Sequence, residues 1–229
     1  MTDMPASAWY PVALTSDIDP GTSNGTRLFD REIVVWRDSA SVGHVWEDRC
    51  PHRGMRLSFG FVRNDRIACL YHGWQYDAGG QCRLIPAHPH LSPPDTIRVP
   101  PLNSVERLGM IWAHSGPEST GDPPLEERPV RPVRSIAIDC PPATAASRLG
   151  YHSGPASDDG TSGDWTVAAP APSLVVLGSG DHAILLGIQP LSARECTLHA
   201  VIAGPGGDRL RVSHWLEEFR RTVEAEGVA

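Results

Sequence analysis

The sequence predicts a mainly β protein with an α+β second half, in which an N-terminal all-β domain is followed by a small antiparallel sheet with a C-terminal helix. Three observations support this prediction. The first half alternates short β-branched or aromatic runs with turn residues. A proline-rich stretch then interrupts the chain, and residues 209–225 carry apolar side chains spaced by four, three and four positions, as on one face of a helix.

The strands of the first half follow from local pattern. Residues 32–37 and 42–47 are β-branched and aromatic runs separated by Asp-Ser-Ala-Ser, which predicts a hairpin. Further strands are predicted at residues 66–70, 74–77, 81–85, 97–99 and 108–114, with a turn at residues 78–80. Short strands at this spacing are typical of a small barrel or sandwich.

A change of composition separates the two halves. Residues 117–132 contain five prolines among charged residues, which predicts an extended linker. We therefore expect one domain over residues 1–116, a linker over residues 117–132 and a second domain over residues 133–229.

The second half begins with a candidate strand at residues 134–139, and residues 141–163 have the composition of a loop. Residues 174–177 and 183–188 flank Gly-Ser-Gly-Asp, which is a hairpin signal, and residues 196–203 form a third strand in series. The final helix is predicted to bury Val212, Leu216, Phe219 and Val223. A sheet with one packed helix is an α+β arrangement.

Composition limits the partners to be expected. The net charge of −7 argues against a nucleic-acid partner, which would need a basic surface. No stretch approaches the roughly 20 apolar residues that span a bilayer, so we expect no membrane partner and a cytoplasmic location. Five cysteines at irregular spacings do not indicate a disulfide framework, and Cys82, Cys140 and Cys196 are predicted to be packed thiols.

One pair of short motifs has the pattern of a metal site. Cys50-Pro51-His52 and, later, Cys69-Leu70-Tyr71-His72 each supply one thiolate and one imidazole. A Rieske [2Fe–2S] cluster needs two Cys on one iron and two His on the other. Two loops that each give one Cys and one His can grip such a cluster from opposite sides.

Glycines follow both motifs, at Gly54 and Gly73, where a tight turn requires positive φ or a close backbone approach. Two other interpretations exist for the four ligand residues. They could be unrelated buried residues, or they could form a structural Cys₂His₂ zinc site. Zinc sites usually pair Cys with Cys and His with His in sequence, which favours the Rieske interpretation.

The stretch CPHRGMRLSFG at residues 50–60, followed by CLYHGWQYDAGGQC at residues 69–82, resembles the Rieske domain of the Rieske non-haem iron oxygenases. The opening WYPV at residues 9–12 is also similar to that family's N-terminus. The resemblance extends over residues 8–114. It implies one [2Fe–2S] cluster per chain and a reductase or ferredoxin as electron donor. It also allows a catalytic oxygenase subunit as partner in a mixed oligomer.

Departures from the respiratory Rieske proteins point to the oxygenase type. Those proteins carry a disulfide between the ligand loops, where this sequence has Met55 and Tyr71. They also place Ser after the second His-Gly, where this sequence has Trp74. Tyr76 keeps a hydroxyl that could donate to a cluster sulfur. With fewer such donors, we expect a reduction potential near the low end of the Rieske range of roughly −150 to +300 mV.

Full-length members of this family hold mononuclear Fe(II) with a 2-His-1-carboxylate triad in a second domain. No two histidines beyond the linker are closer than fifteen residues, and residues 151–163, where a triad helix would lie, are not helix-forming. Residues 165–203 and the last helix are nevertheless similar to parts of that domain. Mononuclear Fe(II) is therefore not expected, although His182 and His199 with Asp181 or Glu195 could build an unusual site.

Three functional hypotheses follow. The first is an electron-transfer component that supplies a non-haem iron site on a partner chain. The second is an unusual short Rieske monooxygenase that acts itself on a small organic substrate. The third is a non-catalytic redox or ligand-binding module.

Overall fold

In a computed structural model, which describes residues 4–116, 121, 123, 125–151, 154–156 and 165–226, the chain consists mainly of antiparallel sheets. Three sheets form the first half, and a five-stranded sheet with a C-terminal helix forms the second. The predicted fold class is therefore confirmed. No described helix is long and apolar enough to cross a membrane.

The first half contains two three-stranded sheets and one four-stranded sheet. One sheet has the order β2-β3-β4, the second β1-β10-β9 and the third β5-β6-β7-β8. The strands are β1 (Trp9–Leu14), β2 (Ser23–Leu28), β3 (Arg31–Arg37), β4 (Gly43–Glu47), β5 (Phe61–Arg63), β6 (Arg66–Ala68), β7 (Gln75–Asp77), β8 (Cys82–Leu84), β9 (Ser104–Arg107) and β10 (Met110–His114).

Local pattern explains most of these strands. The hairpin predicted at residues 32–37 and 42–47 is the β3-β4 pair, in which the run Ile33–Trp36 of β3 is fully buried. The predicted turn at residues 78–80 joins β7 to β8, with Gly80 at φ 79°. The prediction of a strand at residues 97–99 was wrong, because this segment forms a single isolated bridge, between Arg98 and Gln81.

The second half is built on one sheet with the order β11-β15-β14-β13-β12. The two-residue turn Gly180-Asp181 joins β13 to β14, so the predicted hairpin is confirmed. The last helix buries the four predicted apolar residues and Trp215. The elements are β11 (Val130–Ile138), α1 (Pro142–Tyr151), β12 (Thr166–Ala171), β13 (Leu174–Ser179), β14 (His182–Pro190), β15 (Cys196–Ala203) and α2 (Arg209–Glu226).

Two predictions for the second half need correction. Strand β11 begins at Val130, inside the predicted linker, and a register irregularity between Pro132 and Arg134 accommodates the proline. The predicted loop at residues 141–163 begins with α1, which opens on Pro142 and is rich in alanine, both favourable for a helix start. Residues 152–153 and 157–163 of that loop, and residues 117–120, 122 and 124 of the linker, lie outside the described residues.

The two halves share a hydrophobic core. Met110 and Trp112 of β10 pack with Leu185 and Val201 of the five-stranded sheet. A Cβ on Gly187 would lie 2.7 Å from the Pro11 ring of β1, so the sheets approach as closely as the missing side chain allows. The first half therefore packs directly against the second, and this contact sets the relative orientation of the two halves.

Candidate metal centre

The two motif loops close with the same backbone hydrogen bonds. The Cys50 N–H donates to the Met55 carbonyl at 2.8 Å, and the Cys69 N–H donates to the Trp74 carbonyl at 2.9 Å. In each loop the carbonyl of the cysteine accepts from the glycine four residues later, at 2.8 Å for Gly54 and 2.9 Å for Gly73. The loops are thus equivalent, although one has the spacing C-x-H and the other C-x-x-H.

Gly54 and Gly73 occupy matching left-handed positions, with φ of 75° and 69°. Such backbone is unfavourable for residues with a Cβ. A Cβ on Gly73 would also lie 3.0 Å from the Pro86 ring. These two predicted positions therefore have the conformational role expected of them.

The four candidate ligands form a pair of thiols and a pair of imidazoles. Cys50 and Cys69 are each 2% exposed, and both pack in the same buried cluster of the first half. His52 is half-buried and His72 is exposed, with ring centroids 4.7 Å apart. Burial raises the pKa of the Cys69 thiol, whereas desolvation and then the neighbouring His72 lower the pKa of His52. The thiols thus face the core and the imidazoles face the surface.

Trp74 and Tyr76 both contact the ligand set. The Trp74 indole stacks on the His52 ring, with centroids 4.3 Å apart and planes 6° from parallel. The Tyr76 hydroxyl lies 3.1 Å from the Cys50 Sγ in a fully buried contact. Burial, reinforced by that hydrogen bond, raises the pKa of Tyr76, so the hydroxyl keeps its proton and can donate to a thiolate.

This donor set fits a [2Fe–2S] cluster. Two adjacent thiols suit the iron that takes two Cys, and two adjacent imidazoles suit the iron that takes two His. Buried thiols also match the need to shield cluster sulfurs from water, since solvent exposure is one of the factors that set the potential. Among the described residues, no three His, Cys, Asp or Glu side chains form a group that could hold a single metal ion.

The alternative iron site of the second half is not brought together. Register places His199 opposite Gly187, five residues along β14 from His182, which corresponds to roughly 17 Å. Glu195 is ion-paired to Arg27. The hypothesis that His182 and His199 share a metal is therefore wrong.

His199 instead forms a buried polar network that the sequence did not indicate. The Gln189 amide donates to Thr26 Oγ1 at 3.0 Å and to the Arg27 carbonyl at 2.7 Å, so its Oε1 remains as an acceptor. His199 Nε2 lies 2.9 Å from that oxygen and must carry the proton. Nδ1 lies 2.8 Å from the Ser135 hydroxyl. Burial lowers the pKa of His199 to about 3.

Two of the cysteines predicted to be packed thiols without a partner are brought together. Cys140 and Cys196 are both buried and pack in the same hydrophobic cluster. The neighbouring thiol lowers the pKa of Cys140 and, together with burial, raises the pKa of Cys196. The two residues are far apart in sequence, so no local signal could have found the pair. Cys82 packs as predicted, with its thiol directed to the Leu84 carbonyl.

Comparison with known proteins identifies the first half. Residues 8–101 match the family model described as the Rieske [2Fe-2S] domain. Over 98% of its length the chain is 29% identical to oxidoreductase NdmD of Pseudomonas putida, of which it covers 41%. It is also 35% identical, over 45% of its length, to 31% of methylxanthine N1-demethylase NdmA of the same species. The aligned sequence therefore covers less than half of the length of each of these two relatives.

Solved structures are similar over nearly the whole chain. Dicamba monooxygenase superposes with a TM-score of 0.76 at 20% identity, covering 98% of this chain and 87% of the other. NdmA of Pseudomonas putida CBB5 with caffeine gives a TM-score of 0.75 at 18% identity, covering 96% of this chain and 82% of the other. At these identities the similarity establishes the fold, including that of the second half.

Proposed function

We propose that this chain, a Rieske [2Fe–2S] domain protein related to the Rieske non-haem iron oxygenases, is an electron-transfer component of such an oxygenase. It would take electrons from a reductase or ferredoxin and deliver them to a non-haem iron site on a partner chain. The observation that carries this proposal is the arrangement of the ligand loops, in which a buried thiol pair adjoins a surface imidazole pair within the matched domain.

Each ligand residue has a distinct role in this proposal. Cys50 and Cys69 would hold the inner iron, and His52 and His72 the outer one. When bound, the [2Fe–2S] group supplies reversible one-electron transfer. Because His72 is exposed, its imidazole would lie between that group and a docked partner.

Supporting residues set the environment of the ligands. Tyr76 donates to the inner thiolate of Cys50, which favours the reduced form. Trp74 covers the His52 ring and fixes its orientation. We propose a reduction potential toward the low end of the Rieske range. Tyr76 supplies one hydroxyl donor, but Trp74 stands where the respiratory proteins have a second one, so fewer donors stabilise the reduced form.

The second half supports an electron acceptor on another chain. His182 and His199 are held far apart by the sheet register, and both ring nitrogens of His199 already have hydrogen-bond partners. His214 is exposed on α2. In the described part of the second half, these three histidines therefore form no shared metal site.

Cluster content is tested by iron and sulfide analysis with EPR of the dithionite-reduced protein. We expect two irons and two labile sulfides per chain. Cys69→Ser should abolish the visible and EPR signals, whereas Cys82→Ser, a buried cysteine of the same core, should retain them. A colourless wild-type protein with one zinc would refute the assignment.

Delivery to a partner is tested by mixing pre-reduced chain with a Rieske oxygenase subunit from the same source. We expect rapid reoxidation of the cluster only when that subunit carries its iron. A third iron in this chain alone, with substrate-dependent oxygen uptake, would instead identify it as a monooxygenase in its own right.

A further inference from the structure

The surface around the candidate ligands differs in charge from the rest of the chain. Residues 49–98 contain seven arginines and three aspartates, whereas the whole chain has a net charge of −7. The three segments that surround the ligands, residues 49–56, 69–76 and 86–94, contain no Asp or Glu at all. The end of the molecule that carries the ligands is therefore basic on an acidic protein.

Two arginines of this surface lie directly beside the ligands. Arg53 follows His52 directly in the ligand loop. The Arg49 guanidinium lies over Gly54, at 3.3 Å from where a Cβ would be. Both side chains are exposed, and neither has an ion-pair partner within the part of the chain that the structure describes.

Two nearby arginines, in contrast, do have ion-pair partners. Arg56 is ion-paired with Glu32, and Arg83 with Asp77 at 2.5 Å. Charged side chains without an ion-pair partner add little to the stability of the fold, but they raise the rate of association with an oppositely charged partner. Arg49 and Arg53 are thus available to a second molecule.

Apolar side chains complete the surface. Leu70 and Tyr71 are 56% and 54% exposed although they lie between Cys69 and His72. The Tyr71 ring contacts the His72 ring, with centroids 3.8 Å apart. Exposed aromatic and aliphatic residues with arginine beside them are the composition of interface centres.

We infer that Arg49, Arg53, Leu70, Tyr71 and His72, here called the cluster face, are the docking surface for an acidic electron-carrier protein. This inference rests on the proposed function and names the kind of donor. The carrier would present carboxylates to the two arginines and an apolar patch to Leu70 and Tyr71. The carrier would be oxidised and this chain reduced by one electron, taken up by the group that the four ligand residues would hold.

The test uses the holoprotein and an acidic [2Fe–2S] ferredoxin as probe. Binding is measured by calorimetry, and cluster reduction by stopped-flow absorbance, both over a series of ionic strengths. We expect affinity and rate to fall as salt rises, because exposed charges beyond a Debye length of about 10 Å at 0.1 M are screened. Reoxidation by the basic cytochrome c should show the opposite salt dependence.

Charge reversal locates the surface. Arg53→Glu, and more strongly Arg49→Glu with Arg53→Glu, should slow reduction by ferredoxin about tenfold at low salt and converge with wild type at high salt. Arg209→Glu makes the same charge change on α2 of the second half and should have little effect. Leu70→Ser with Tyr71→Ser should weaken binding at every ionic strength.

The outcomes separate this inference from the proposed function. If dithionite yields a normal reduced EPR signal but the arginine variants bind and react as wild type does, the cluster face is refuted and the electron-transfer function stands. If Arg53→Glu acted by shifting the midpoint potential, the rate of cluster reduction would change equally at all salt concentrations. An effect on docking would instead disappear at high salt. A salt-sensitive homodimer lost in the same variants would assign the face to a second copy and overturn the inference.

Discussion

The buried imidazole of His199 should make the folding stability depend on pH. It is 3% exposed and lies where the two halves meet, linked through Gln189 to Thr26 of β2 and through Ser135 to the Asp17 carboxylate at 2.6 Å. The informative change is His199→Gln, because a glutamine amide can still donate to the Gln189 oxygen but cannot take up a proton near neutral pH.

The size of the effect follows from the two pKa values. Burial lowers the pKa of His199 from 6.5 to about 3, while the unfolded chain keeps a value near 6.5. Between these values the unfolded state binds a proton that the folded state excludes, so stability is complete above pH 6.5 and falls as pH falls toward 3. At about 1.4 kcal/mol per pH unit, this residue should contribute a loss of about 2 kcal/mol between pH 7.5 and pH 5.

The assay is urea unfolding followed by circular dichroism at pH 7.5 and pH 5. The wild type should lose about 2 kcal/mol more than His199→Gln over this interval. His182→Gln, which removes a half-buried imidazole of the same sheet, is the control and should follow the wild type. Equal losses in wild type and His199→Gln would refute the argument that a buried neutral imidazole controls this pH dependence.

Two further predictions concern the ligand loops. Tyr76→Phe removes the hydroxyl donor 3.1 Å from Cys50 Sγ, a hydrogen bond worth about 1 kcal/mol. The midpoint potential should therefore fall by roughly 40 mV in a redox titration. An unchanged potential would show that this hydrogen bond does not influence the midpoint potential. Gly73→Ala places a Cβ at φ 69° and 3.0 Å from the Pro86 ring and should reduce cluster content and lower the melting temperature. Gly150→Ala, in open space on α1, should leave cluster content unchanged and match or exceed wild-type stability; equal behaviour of both variants would contradict the strain argument.

Sequence pattern was most informative where structure depends on neighbours along the chain. The β3-β4 hairpin and α2 follow from alternation and helical spacing, and both were predicted within one or two residues. The candidate ligands could be proposed because each loop carries its Cys and His within four positions. In the structure the two thiols pack in one core cluster, and the two imidazole rings are in contact. The same reasoning failed for α1, since its glycine and serine neighbours gave the whole segment a loop-like composition.

Long-range features could not be found in this way. Cys140 and Cys196 meet because β11 pairs with β15, a pairing that no local signal specifies. The network of His199 needs partners from both halves of the chain, and so does the shared core. An isolated histidine in a strand therefore gave no indication of whether it would be exposed, metal-bound or buried.

The shared core also governs how the molecule can be divided. A fragment ending at Gly116 would expose Met110 and Trp112, which are buried against Leu185 and Val201 in the intact chain. Exposing each such side chain to water removes about 1.5–3 kcal/mol of the free energy of folding, which is a large part of the stability of a small domain. The cluster-binding segment expressed alone should therefore aggregate rather than fold into an independent electron-transfer domain. A fusion protein that uses this segment should include the five-stranded sheet as well.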